Sequence, residues 1–162
     1  MCKENAKYME VDWQDKEKTD MRFMRMALVE AQKAYEMGEV PVGCVIVSDN
    51  HIVGRGHNLT EALCDVTAHA EIQAITAAAS SLGGKYLTQC TLYVTVEPCV
   101  MCAGAIGWAQ VRRVVYGTAD EKRGFTQLAP RALHPKCTIS SGVLEDECRQ
   151  LMQSFFAAKR NG

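Results

Sequence analysis

The stretch TLYVTVEPCVMCAGAIGW, residues 91–108, combines a strand pattern, a break and a helix pattern in one short segment. Residues 91–96 alternate threonine and tyrosine with leucine and valine, which is typical of a β-strand. Glu97-Pro98 ends that pattern because proline cannot continue a strand ladder, and the segment from Cys99 to Trp108 predicts a helix. Val111 to Tyr116, which contains three valines, indicates another buried strand. This strand–helix–strand order favours a layered α/β fold.

The rest of the chain continues this alternation of strands and helices. Turn residues and apolar periodicity place the element boundaries. The predicted elements, in chain order, are a helix from an N-cap at Thr19 or Asp20 to Gly38, strands over 41–47 and 51–56, a helix that contains His69 and ends near Gly83, a strand over 138–143 and a helix from Leu144 through Phe156. Together they predict a layered α/β domain with helices on both faces of one sheet.

Composition is typical of a single globular domain. The chain has 162 residues, of which 48% are hydrophobic and 23% charged, and this is enough to bury an ordinary core. Residues 1–18 are polar and lack periodicity, so we expect a loosely ordered extension ahead of one domain over 19–162. No apolar run approaches the roughly 20 residues that cross a bilayer, and the N-terminus lacks a secretion pattern. We therefore expect a cytoplasmic protein with no membrane association.

Two short motifs bring together side chains suited to a metal ion. They are His69-Ala70-Glu71 and Pro98-Cys99-Val100-Met101-Cys102. Both lie where helices are predicted to begin, and the positive end of a helix dipole stabilises thiolate ligands. One nitrogen and two sulfur ligands suit zinc better than magnesium or calcium, which prefer oxygen. We therefore expect one Zn²⁺ per chain, bound by His69, Cys99 and Cys102.

Glu71 completes this arrangement as a carboxylate that need not bind the metal. A catalytic zinc site keeps three protein ligands and leaves the fourth position to water, whose pKa the metal lowers. Glu71 lies two residues after His69, and at a first helical turn it can reach that water and take up its proton. The motifs therefore predict hydrolytic deamination with Glu71 as the catalytic proton carrier. His-x-Glu followed by Pro-Cys-x-x-Cys is the signature of zinc nucleobase deaminases.

A structural zinc site in a non-enzymatic binding module is the alternative at this point. Such a site needs a fourth ligand, for which Cys90, His57 and Cys64 are candidates. The cysteines outside the motif are expected to be free thiols, because a domain of this size with no export signal needs no disulfides.

Charge distribution leaves nucleic-acid binding open. The net charge of −1 is no global signature of a nucleic-acid-binding domain. A local cluster of basic residues is either ordinary surface charge or a basic rim around a site, and it consists of Arg112, Arg113, Lys122, Arg123, Arg131 and Lys136.

The chain resembles the bacterial tRNA adenosine deaminases, which convert the wobble adenosine of an arginine tRNA to inosine. The resemblance covers roughly residues 20–160, and the stretches that carry it are EVPVG at 39–43, TAHAE at 67–71, TLYVTVEPCVMCAGA at 91–105, RVVYG at 113–117 and FF at 155–156. The resemblance implies a three-layer α/β/α sandwich around a five-stranded mixed sheet. It also implies a homodimer and a tRNA anticodon loop as the substrate partner.

The resemblance also implies roles for residues around the metal. The zinc ligands match His69, Cys99 and Cys102, and Glu71 matches the proton shuttle. The positions implied to bind the substrate are Asn58, Ala70, Pro98, Asp120, Phe156 and Arg160. For Asn58 and Asp120 the alternatives are a turn-forming residue and a solvated loop acid, and for Phe155 or Phe156 the alternative is core packing.

One segment departs from the pattern of these tRNA deaminases. Residues 121–128, EKRGFTQL, replace a short loop rich in lysine, threonine, glycine and alanine. Gly107-Trp108-Ala109 is in addition similar to the guanine deaminases. An alternative function is therefore deamination of guanine, cytosine or a free nucleoside.

Overall fold

The structure, a computed structural model, describes residues 13–162. It contains a five-stranded sheet and five helices within that range. The helices are α1 (Trp13–Glu36), α2 (Ala70–Leu82), α3 (Val100–Trp108), α4 (Phe125–Leu128) and α5 (Glu145–Arg160). The strands are β1 (Gly43–Ser48), β2 (His51–His57), β3 (Cys90–Val96), β4 (Arg113–Thr118) and β5 (Thr138–Ser141).

The sheet is mixed, with the strand order β2-β1-β3-β4-β5. Strand β1 is antiparallel to both of its neighbours, β2 and β3. Strands β3, β4 and β5 are parallel to one another. The carboxyl ends of β2, β3 and β4 therefore lie at the same edge of the sheet, and ligand sites in open α/β sheets form at such an edge.

Helices cover both faces of this sheet. On one face α2 and α3 contribute Ala74, Ala78 and Ile106 to a buried cluster with β1, β3 and β4. On the other face Phe23 and Met24 of α1 pack with Cys148 of α5 against the same strands. The predicted three-layer α/β/α sandwich around a five-stranded mixed sheet is confirmed.

Helix α1 begins earlier than the sequence pattern predicted. The N-cap predicted at Thr19 or Asp20 is wrong, because the helix starts at Trp13 and both residues lie inside it. The Asp20 carboxylate instead accepts two hydrogen bonds from the Arg113 guanidinium, at 2.8 and 2.7 Å, and one from the Tyr93 hydroxyl. Residues 13–18 of the predicted extension thus belong to α1, while residues 1–12 lie outside the described residues.

The other boundaries shift by a few residues. Strand β1 begins at Gly43 and not at residue 41. Strand β4 spans residues 113–118 and not the predicted 111–116, and β5 ends at Ser141 and not at residue 143. The short helix α4 was not predicted. Its first residue, Phe125, is fully buried in the core, so tertiary packing and not local periodicity defines this turn.

Close approach between α2 and β2 depends on two glycines. A Cβ at Gly54 would overlap the backbone of Ala74 and Ala78, and a Cβ at Gly56 would overlap the backbone of Ala70 and Ala74. The first turn of α2 therefore lies directly on β2 and is fixed relative to the end of that strand.

The seven cysteines within the described range are free thiols, as expected. Cys2 lies outside that range. No helix of the described residues has the length and apolar character needed to cross a membrane.

Candidate active site

Each of the two motifs spans the start of a helix, and the two helix starts bring the motifs together. His69 is the N-cap of α2 and Cys99 is the N-cap of α3, and both have an extended backbone. Neither side chain bonds back to its own helix. Both are therefore free to turn toward a common point, and Cys102 reaches that point from the first turn of α3, about one helical turn further on.

Their ligand atoms form a compact triangle. His69 Nδ1 lies 3.6 Å from Cys99 Sγ and 3.5 Å from Cys102 Sγ, and the three atoms lie within 4.8 Å of one another. Zn–S bonds of about 2.3 Å and Zn–N bonds of about 2.0–2.1 Å at a tetrahedral angle place sulfur and nitrogen about 3.6 Å apart. The donor set and its spacing therefore fit zinc, as the sequence predicted.

Hydrogen bonds within the triangle favour a thiolate on one sulfur. The Cys102 thiol and His69 both bond to Cys99 and lower the pKa of the Cys99 thiol to about 4. The same bond to Cys99, together with burial, raises the pKa of Cys102, and the bond to Cys99 raises the pKa of His69. The cluster therefore concentrates negative charge where a cation would bind, since the thiolate is the ligating form of cysteine.

Glu71 lies beside this triangle and outside it. Its side chain is buried, and its Oε2 accepts a hydrogen bond from the Cys102 thiol at 3.5 Å. Burial raises the pKa of the Glu71 carboxyl. A carboxyl with a raised pKa next to a metal site is suited to accept and return protons.

The three candidate fourth ligands do not join the triangle. His57 Nδ1 bonds to Glu30 at 3.0 Å, and the Cys64 thiol bonds to the Glu61 carbonyl on an exposed loop. Cys90 begins β3, at the opposite end of the strand that leads to Cys99. Within residues 13–162 the cluster that could hold a metal has three members. This leaves one coordination position open, which is the arrangement of a catalytic zinc site and not of a structural one.

A cavity of about 720 Å³ opens above the metal triangle. Its lining includes His69, Cys99 and Glu71, together with four of the residues predicted to bind substrate, which are Asn58, Ala70, Asp120 and Phe156. Pro98 and Arg160 do not line it. Pro98 is buried and its carbonyl accepts a hydrogen bond from Phe125, while Arg160 is exposed at the end of α5.

Asn58 and Asp120 form turns as well as lining the cavity. Asn58 Oδ1 accepts a hydrogen bond from the Thr60 backbone at 3.2 Å. Asp120 Oδ1 accepts bonds from the backbones of Lys122 and Arg123, each at 3.0 Å. The turn-forming alternative is thus compatible with a place in the cavity wall for Asn58. Asp120, for which the alternative was a solvated loop acid, is half-buried and also forms a turn.

The two C-terminal phenylalanines divide between core and cavity. Phe155 is buried, and its ring centroid lies 5.7 Å from that of Tyr35 in an edge-on arrangement. Phe156 is 43% exposed and lines the cavity. Of the two, only Phe155 therefore packs in the core.

Sequence reasoning missed several cavity residues. Helix α5 lines the wall at helical spacing, and the residues not selected from the sequence are Glu145, Arg149 and Gln153. Lys122 and Arg123 of the basic cluster also line the cavity, whereas Arg113 is held in its ion pair with Asp20.

Glu39 and Glu97 each lie beside a buried strand and were not selected from the sequence. An isolated acidic residue at such a position is a usable signal, because a buried carboxylate needs hydrogen-bond partners.

Comparison with known proteins agrees with this geometry. Residues 17–118 match the cytidine and deoxycytidylate deaminase zinc-binding region. A tRNA-specific adenosine deaminase of Streptococcus pyogenes serotype M18 is 42% identical over 143 residues, which cover 85% of this chain and 90% of that protein. The chain belongs to the tRNA-specific adenosine deaminase family. Its curated relatives are hydrolytic deaminases.

Solved structures place this family member among deaminases of the same fold. A structure from work on A-to-I editing by tRNA:A34 deaminases at the wobble position of transfer RNA has a TM-score of 0.76 and 43% identity, covering 80% of this chain and 98% of its own. A guanine deaminase from Bacillus subtilis has a TM-score of 0.58 and 36% identity, covering 70% of this chain and 69% of its own. The predicted family and its zinc chemistry are confirmed.

Proposed function

We propose that this chain deaminates adenosine to inosine at the wobble position of a tRNA anticodon loop. The observation that carries the proposal is one cavity that joins His69, Cys99 and buried Glu71 to half-buried Asp120 and exposed Phe156. The tRNA-specific adenosine deaminase of Streptococcus pyogenes, similar over most of its length, supports the same substrate.

The chain's own groups account for the proton movements. When bound, zinc supplies Lewis acidity that makes water a nucleophile near neutral pH. Glu71 takes the proton released as the water oxygen bonds to C6 of adenine. Its carboxyl delivers that proton to the ring nitrogen N1. It then takes the proton of the new C6 hydroxyl and delivers it to the amino group as the C6–N bond breaks and the C6 carbonyl forms. Water and adenosine become inosine and ammonia, and burial of Glu71 stabilises the protonated carboxyl between these transfers.

The rim of the cavity suits a nucleotide drawn out of an RNA loop. A target base must leave its stack before the reaction, and anticodon loops present bases at low unstacking cost. Phe156 offers an exposed ring against which a base can stack. Lys122 and Arg123 place positive charge on the same rim, where phosphates of the loop would lie.

The test is incubation of the zinc-loaded protein with an arginine tRNA that carries adenosine at the wobble position. Inosine, read by sequencing, is the expected product. Glu71→Gln, which is nearly isosteric, is expected to lower turnover by about 10²–10⁴-fold while zinc content is retained, because it removes the proton carrier and no ligand. Absence of inosine from the zinc-loaded wild type would contradict the proposal.

Guanine deamination is the second candidate function. The likeness to the Bacillus subtilis guanine deaminase favours it. Ammonia release from free guanine, with the tRNA left unmodified under the same conditions, would establish this alternative instead.

We also propose that the chain acts as a homodimer in the cytoplasm. Helix α3, VMCAGAIGW, carries no charged residue. One of its faces is nevertheless exposed through Val100, Met101 and Trp108, the last being 85% exposed. A helix that is apolar on all sides is normally buried, so a second copy of the chain is the proposed cover for this face.

A further inference from the structure

Outside the metal site, two buried carboxylates form no salt bridge within the described residues. Glu39 is 1% exposed and Glu97 is 5% exposed, and the ion pairs of residues 13–162 involve other acids. A buried carboxylate without a cation is costly unless hydrogen bonds replace its water. Their hydrogen-bond partners therefore show what these two side chains hold in place.

Glu39 binds the loop that follows β2. Its Oε1 accepts a hydrogen bond from the Ala62 backbone at 2.7 Å, and its Oε2 accepts one from the Glu61 backbone at 3.2 Å. The Thr60 hydroxyl donates a longer bond to Oε2 at 3.4 Å. Thr60 is also the residue whose backbone bonds to Asn58 Oδ1. We name residues 58–62 the Asn58 loop.

Glu97 binds the segment that follows β4, residues 119–126, which includes the first two residues of α4 and which we name the Asp120 loop. Its Oε2 accepts a hydrogen bond from the Asp120 backbone at 2.9 Å. Its Oε1 accepts bonds from both the backbone and the hydroxyl of Thr126. A Cβ at Gly124 would overlap this carboxylate, so the loop backbone packs directly on it.

The two loops lie on either side of the metal ligands. In the sheet order β2-β1-β3-β4-β5, the Asn58 loop follows β2 and the Asp120 loop follows β4, while Cys99 follows β3 between them. Both loops line the same cavity, through Asn58 and Thr60 on one side and Asp120 to Arg123 on the other. Each wall of the cavity is thus anchored by one buried carboxylate.

We propose that Glu39 and Glu97 are positioning residues that hold these two walls in the geometry the substrate nucleotide requires. The inference rests on the proposed function for the identity of that nucleotide. In both residues each oxygen accepts a hydrogen bond from a backbone N–H. Glutamine would turn an amide NH₂ toward one of those donors, so it keeps the shape and loses the anchor.

The experiment compares Glu39→Gln and Glu97→Gln with Asp20→Asn in the zinc-loaded full chain. Asp20 is the matched control because it is a buried carboxylate bonded to Arg113, at the start of β4 and so at the sheet end away from the cavity. Amide hydrogen exchange is measured peptide by peptide, zinc is quantified, and KM and kcat are determined with the tRNA at a temperature where all variants are folded.

We expect faster exchange in the Asn58 loop alone for Glu39→Gln and in the Asp120 loop alone for Glu97→Gln. Zinc content is expected to stay at the wild-type level. The ratio kcat/KM is expected to fall about 10–100-fold, since small displacements of positioning groups cost about this much. Asp20→Asn is expected to be less stable but to keep its kcat/KM.

Several results would overturn the inference. They are exchange that rises throughout the chain, exchange unchanged in the loops, loss of zinc, or an equal kinetic loss in Asp20→Asn. If the wild type forms no inosine, the proposed function fails, while the exchange and zinc measurements still decide whether the two carboxylates hold the loops.

Discussion

Buried acids in this chain are stabilised in three different ways. Glu71 has a raised pKa because burial disfavours its charge. Glu30 keeps its charge through Lys33 at 2.8 Å and His57 at 3.0 Å. Glu39 and Glu97 are satisfied by backbone N–H groups of the loops. We propose three corresponding uses, which are proton transfer by Glu71, packing of α1 on the sheet by Glu30, and support of the cavity walls by Glu39 and Glu97.

Glu30 gives a prediction for the pH dependence of stability. Burial alone would raise its pKa, but the hydrogen bonds from Lys33 and His57 lower it below the ordinary value of 4.5. A lowered folded-state pKa means that this carboxylate stabilises the fold above pH 4.5 and that the contribution is lost as the pH falls through the folded value. Glu30→Gln should therefore cost about 1–3 kcal/mol at pH 7 and less in acid.

Urea denaturation of the wild type and of Glu30→Gln at several pH values measures this difference. Glu36→Gln is the control, because Glu36 is exposed on the same helix and its hydrogen-bond partner Gln32 is exposed as well. A constant difference between wild type and Glu30→Gln from pH 7 down to acid would contradict the assignment.

At the scale of elements, the start of α2 controls the metal site. This helix brings His69 and Glu71 to the cavity, and it is seated on β2 through Gly54 and Gly56. The positions of His69 and Glu71 therefore depend on this contact, although neither glycine lines the cavity.

Gly56→Ala tests that dependence. The new Cβ would overlap the backbone of Ala70 and Ala74, so the first turn of α2 must move away from β2. We expect a loss of about 1–3 kcal/mol or more in the free energy of unfolding, together with weaker zinc retention against a chelator. Gly84→Ala is the control because a Cβ there meets open space. If Gly56→Ala is destabilised but retains zinc as well as the wild type does, the packing of α2 on β2 does not control metal binding and the prediction is contradicted.

At the scale of the whole molecule, the exposed apolar face of α3 is the observation behind the proposed homodimer. This helix follows directly from Cys99 of the metal triangle. Trp108 is the largest exposed apolar side chain on this face.

We predict that the wild type sediments as a dimer and that Trp108→Ser shifts it toward monomer. The reason is the loss of a large apolar contact, worth several kcal/mol when a buried aromatic anchors an interface. Met37→Ser is the control, since Met37 is 54% exposed and lies just after α1, outside α3. Monomeric wild type at micromolar concentration, measured by sedimentation velocity, would refute the proposed dimer.

The zinc triangle and the central strand–helix unit were predictable because their signals are local. Cys99 and Cys102 lie about one turn apart, and the alternation over 91–96 is visible within the strand itself. The start of α1 was not predictable in this way. The partner of Asp20 is Arg113, 93 residues further along the chain, so no local pattern distinguishes this acid from a helix cap.

The sequence by itself determined the reaction chemistry, because the residue types and their spacing identify it at His69, Glu71, Cys99 and Cys102. Tertiary structure alone decided which other residues surround that chemistry. It placed Asn58 and Asp120 in one cavity, turned Phe155 into the core and Phe156 outward, and gave Glu39 and Glu97 their loops. These outcomes depend on which strand ends lie side by side in the sheet, and that order arises from contacts between residues far apart in the chain.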